Sequence, residues 1–161
     1  MALSKITNDG VATSGLPAGS VVQVVQASST SVISTSSSTF AASGFSATIT
    51  PTSSSNKILV MGSLPIYLQG ISGGAHGVVT VYRGGVASGT DISASTSSFG
   101  LAQNYAAGIE TITKGSFHVL DSPATTSSTT YELAFRVSGS ASCTIAINGD
   151  EYTLTLMEIA Q

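Results

Sequence analysis

Residues 130–138 read TYELAFRVS, with Tyr131, Leu133, Phe135 and Val137 in one phase and Glu132, Ala134 and Arg136 in the other. A period of two is what a half-buried β-strand requires, because successive side chains point to opposite faces of a sheet. The same period recurs elsewhere. GFSATIT sets Phe45, Ala47 and Ile49 against Ser46, Thr48 and Thr50, and SCTIAIN puts Cys143, Ile145 and Ile147 on one face. Strand-like runs also occupy 20–26, 57–69, 77–85, 98–103, 116–121 and 151–159. The spacing predicts about nine or ten strands in an all-β sandwich or barrel. No helical period is sustained, and residues 102–108 are expected to form one short turn at most.

Local details refine the strands. Pro65 interrupts the run 57–69 and predicts an edge strand or a bulge there. Asn148, Gly149 and Asp150 predict a tight turn joining the last two strands as a hairpin. Tyr152, Leu154 and Leu156 keep one phase, while Met157 and Ile159 take the other. Apolar residues on both faces predict that both are covered, the second by a loop or by another copy of the chain, and Met157 and Ile159 are the candidate oligomer interface.

The chain is long enough for one domain with a core. Charged residues make up only 8% of it, against roughly 25% in an ordinary soluble domain. Ser and Thr supply nearly a third of the residues instead. Such a surface carries few long side chains that would lose rotamer freedom on assembly. The net charge is -3 and the five Lys and Arg are scattered, so nucleic acid is not an expected partner. No apolar run approaches membrane-spanning length, so no membrane insertion is expected. Residues 1–20 lack the basic and apolar regions of a secretory leader, so synthesis in a cytoplasm is expected. Residues 1–19 carry several turn signals and read as an arm docking on a neighbouring subunit, with Leu3, Ile6 and Val11 as anchors. Residues 20–161 form the domain.

Chemical motifs are sparse. His76 falls in the glycine-rich segment 71–77, expected to be a flexible loop, and His118 on the less buried phase of its strand. Neither has Cys or carboxylate neighbours at metal-ligand spacing. Asp121 precedes Ser122 and Pro123 and is expected to cap a turn. Glu132 and Glu158 are expected to pair with Arg136 or Lys114. The lone Cys143 reads as a buried small hydrophobe. Phosphate loops, calcium loops and nucleophile elbows are absent. The expectation is a non-enzymatic protein without catalytic residues, metal or cofactor.

Several blocks in order resemble a family of tailed-bacteriophage virion proteins: LPAGSVVQVVQ (16–26), ATITPTSSSNKILVMGSL (47–64), VTVYRGG (79–85), SFHVLDSPATTSSTTYELAFRV (116–137) and YTLTLMEIA (152–160). The resemblance implies an antiparallel two-sheet jelly-roll sandwich that assembles as a homotrimer in the virion, put together in the host cytoplasm. Its partners would be other virion proteins of the tail or capsid. One expectation is a tail-fibre or spike knob contacting a host surface glycan or protein through loop residues Tyr67, Gln69, His76, Gln103, Asn104 and Tyr105, since aromatic faces pack on sugars and amides hydrogen-bond them. The alternative is a head-decoration (cement) protein gripping the capsid through its arm; no shaft is expected before residue 20, unlike in long fibres.

Overall fold

The period-two pattern becomes eleven strands in a computed structural model that describes residues 16–93 and 99–161. The anchors Leu3, Ile6 and Val11 lie outside the described residues. The strands are β1 (Val21–Ser29), β2 (Ile33–Thr35), β3 (Ala41–Ile49), β4 (Lys57–Gln69), β5 (Gly74–Arg83), β6 (Thr90–Asp91), β7 (Ala102–Ala107), β8 (Thr111–Asp121), β9 (Thr129–Ser138), β10 (Ser142–Ile145) and β11 (Tyr152–Ile159). All pairings are antiparallel.

The first sheet runs β1-β11-β4-β10-β2, with β8 also on β4. Since β8 fills one edge of β4 from Ile58 to Leu68, β11 and β10 must share the other, lying end to end. Likewise β1 and β2 lie end to end beyond β11 and β10. The second sheet runs β3-β9-β5, with β6 and β7 sharing the far edge of β5. The chain is thus one long antiparallel ribbon: β1/β2 beside β10/β11, β3 beside β9, β4 beside β8, β5 beside β6/β7. Rolled up, that ribbon is a two-sheet jelly roll, the architecture expected.

The two sheets bury their inner phases against each other. Phe45, Ala47 and Ile49 of β3 and Tyr131, Leu133, Phe135 and Val137 of β9 are all buried, as their alternation predicted. Phe45 and Tyr152 meet edge-to-face across the sheets, with ring centroids 4.6 Å apart. Phe117 fills the space above Gly62, where a Cβ would lie 2.3 Å from its ring. Cys143 is fully buried, and burial pushes its thiol up to about 12.

Three local expectations are overturned. The run 57–69 is neither an edge strand nor bulged at Pro65; β4 is paired along both edges. Its proline is accommodated on one edge because the β11 ladder stops at Ser63 and the β10 ladder starts at Ile66. Residues 102–107 are a strand rather than a helical turn, because β5 offers an edge that pairs with them. The turn at 147–149 does not make a hairpin. Left-handed Ala146 (φ 60°) and Asn148 (φ 58°) carry the chain through a short 3-10 turn, after which it rejoins the same edge of β4.

Candidate functional site

The outer face of the second sheet carries an aromatic cluster. His76 is not in a loop; it lies in β5, opposite Tyr105 of β7 and Ser138 of β9. Directly opposed residues share a face. The imidazole centroid sits 4.7 Å from the Tyr105 ring, tilted by 44°, and 5.8 Å from Phe99. The His76 backbone N–H donates to Ser138 Oγ at 3.1 Å, whereas its Nδ1 is buried without a hydrogen-bond partner. Phe99 is 49% exposed and Tyr105 55% exposed. Gln103, two residues before Tyr105 on β7, is exposed on the same face. Together they form an aromatic and amide patch. Phe99 was not among the candidates; its signal was an isolated aromatic ending a serine-rich run.

The other candidates lie elsewhere. Asn104 is not a surface contact, because the alternation of β7 turns it inward and buries it. It donates to the carbonyls of Ile66 (2.9 Å) and Thr111 (3.1 Å) and accepts from the hydroxyls of Thr111 (3.3 Å) and Thr113 (3.0 Å). It thereby stitches β7 to β4 and β8 of the opposite sheet. Tyr67 and Gln69 belong to β4 rather than to a loop, and share the outer phase of the first sheet. The Tyr67 hydroxyl donates to the Glu110 carboxylate, which holds the proton and raises the phenol above its ordinary value. Of the six candidates, only His76, Gln103 and Tyr105 are brought together.

Two acids, one partly and one fully buried, have other roles than expected. Asp121 does not merely cap a turn. Its carboxylate accepts two hydrogen bonds from Arg83 Nη1 (2.7 and 2.8 Å) and one from the Tyr131 hydroxyl (2.7 Å). Asp121 ends β8 in one sheet, while Arg83 and Tyr131 are paired neighbours in the other. The trio therefore clamps the sheets together. Burial, with the bond to Asp121, pushes the Tyr131 hydroxyl far up and keeps it a donor. Glu158 pairs with neither Arg136 nor Lys114. It is fully buried and accepts from Thr52 N (2.7 Å), Thr52 Oγ1 (2.9 Å), Asn56 Nδ2 (2.7 Å) and Gln23 Nε2 (2.6 Å). Burial alone would raise its pKa, but the hydrogen bonds from Asn56, Gln23 and Thr52 together outweigh it and hold the carboxyl below its ordinary range. Glu132 accepts the backbone N–H of Val86 at 3.1 Å.

The outer face of the first sheet is a second surface. In register across four strands lie Val24, Met157, Leu59 and Leu120, an apolar row. Val24 and Leu120 are about half exposed; Met157 and Ile159 are half-buried on this outer phase. Beside the row is an open depression of about 400 Å³ lined by Leu59, Met61, Ser63, Ser116, His118 and Thr155. Among the described residues no group of three His, Cys, Asp or Glu side chains is placed to hold a metal ion.

No family model matches the chain, and no curated protein matches it in sequence. Among solved structures it is similar to that of the infectious bursal disease virus Gx strain, with 18% identity and a TM-score of 0.41 over 86% of this chain and 38% of that one. It is also similar to a mutant VP2 protein of infectious bursal disease virus in derived T=1 particles, with 15% identity and a TM-score of 0.43 over 99% of this chain and 41% of that one. The chain spans about two fifths of those chains.

Proposed function

We propose that this chain is a non-enzymatic virion surface protein of the tailed-phage type, a homotrimeric fibre or spike knob that attaches to the host surface. The observation that carries the attachment role is the patch of His76, Phe99, Gln103 and Tyr105. It presents two half-exposed rings, Tyr105 on the sheet and Phe99 in the turn before β7, beside an exposed amide. Rings pack on the apolar faces of sugars or on protein side chains, and the amide supplies directional hydrogen bonds. The jelly roll itself and the resemblance of several ordered blocks to phage virion proteins support the virion setting. Labelled protein incubated with host cells should bind saturably, and Tyr105→Ala should weaken binding about tenfold or more while leaving the fold intact. Absence of saturable binding by the intact protein counts against attachment.

Head decoration is the second reading, favoured by the seat of the arm. Gly19 donates its N–H to the Ala160 carbonyl at 2.8 Å, and Ala160 donates to the Ser20 carbonyl at 2.9 Å. The last residue of the arm and the first of the domain, Gly19 and Ser20, are thus tied to the end of β11. Deletion of residues 2–15 should abolish binding to particles under this reading; normal particle binding by the shortened chain excludes it.

A further inference from the structure

The two outer faces of the sandwich are finished differently. On the second sheet, Val78 and Thr80 share the outer phase with His76 yet are buried. The chain's own return between β5 and β7 covers them: Thr80 donates to Asp91 Oδ1 at 2.6 Å, and Gly100 lies against Val78 and the Val79 backbone. On the first sheet, the apolar row Val24, Met157, Leu59 and Leu120 crosses all four rows of strands, and its two ends remain half exposed. An ordered apolar band across a whole sheet is the pattern of a contact surface rather than of scattered exposed residues.

Charge identifies the occupant. The outer phase of this sheet carries Lys57 beside Ile159, Lys114 opposite Pro65, and His118 opposite Met61. The same phase of β1, β4, β8 and β11 contains no carboxylate within the strands; the Glu110 carboxylate, just before β8, reaches this face and accepts from the Tyr67 hydroxyl, which leaves the two lysines in excess. The chain as a whole is acidic, with a net charge of -3, and Asp150 and Glu151 stand exposed between β10 and β11. A face bearing cations does not match itself, since two such faces would oppose like charges. It does match the acidic remainder of another copy. A contact between unlike surfaces of identical chains is heterologous and closes into rings when the rotation allows.

We propose that the outer face of the first sheet seats a second copy of this chain in a heterologous contact, with the apolar row packed on the neighbour and Lys57 and Lys114 facing its Asp150 and Glu151. This rests on the homo-oligomeric part of the reading above and assigns its interface. Light scattering of the full chain across the micromolar range tests it. The wild type should have the mass of a closed oligomer. The exposed-site double variant V24S/L120S and the charge variant K57E/K114E should each weaken association about tenfold or more, with circular dichroism and melting confirming that both still fold. Combining K57E/K114E with D150K/E151K in one chain should restore assembly. A monomeric wild type overturns both this proposal and the oligomeric reading. An oligomer indifferent to V24S/L120S overturns only the assigned face. Failure of the combined swap to restore assembly overturns the heterologous pairing.

Discussion

Glu158 shows how far a single residue can depart from its sequence-level reading. In a strand of alternating residues a glutamate suggests a solvated face, yet this one lies on the inner phase beside Leu154 and Leu156. It is tolerated because four neutral donors replace the water it loses. Its depressed pKa has a definite pH consequence. A carboxylate held below its unfolded value contributes stability that is present above the unfolded value and lost as pH falls through the folded one. Urea midpoints should therefore fall between about pH 6 and about pH 3, and Glu158→Gln should lower stability by roughly 2 kcal/mol at neutral pH while flattening that fall. An unchanged slope in the variant would show that another carboxylate governs it. Gly62 makes a second prediction at this scale. A methyl group there meets the Phe117 ring, so Gly62→Ala should cost about 1–3 kcal/mol by overpacking, read as a drop in melting temperature.

At the scale of elements, what was legible is what repeats locally. β9 was readable from Tyr131 to Val137 because its own residues decide which face is buried. Cys143 was readable for the same reason. β7 was not, because Gln103, Asn104 and Tyr105 have no apolar alternation; its strand character comes from pairing with β5, which lies far away in sequence. Pro65 misled because a proline's tolerance depends on where the neighbouring ladders happen to end. The aromatic and amide patch was half legible for a related reason. Residue types suggested His76 and Tyr105, but only strand register reveals that they touch, and that Asn104 between them and the core faces inward. Asn104→Ala should therefore behave as a stability variant, costing about 2–3 kcal/mol through unpaired buried carbonyls and hydroxyls. Any loss of cell binding should disappear when the measurement is made well below its melting transition. Tyr105→Ala should do the reverse.

At the scale of the whole molecule, the two devices that join the sheets lie on inner phases, and the Asn104 stitch lies directly beneath the His76–Tyr105 patch on the same strand. The Asp121 clamp and the Asn104 stitch join the two sheets, while their outer faces remain free to specialise. The second sheet buries Val78 and Thr80 of its outer face under its own chain and leaves rings and an amide showing; the first keeps an apolar band and cations.

The bonds between Gly19, Ser20 and Ala160 have a mechanical consequence. Antiparallel β1 and β11 begin and end at the same pole of the sandwich, with Val21 opposite Ile159. Tension applied between those two ends would peel the strands apart one hydrogen bond at a time, like a zip. Tension applied through the first end and a neighbouring molecule gripping the sheet face would instead load many bonds together in shear. A domain built this way resists force applied across its sheet face, and opens readily when pulled through the start of β1 and the end of β11.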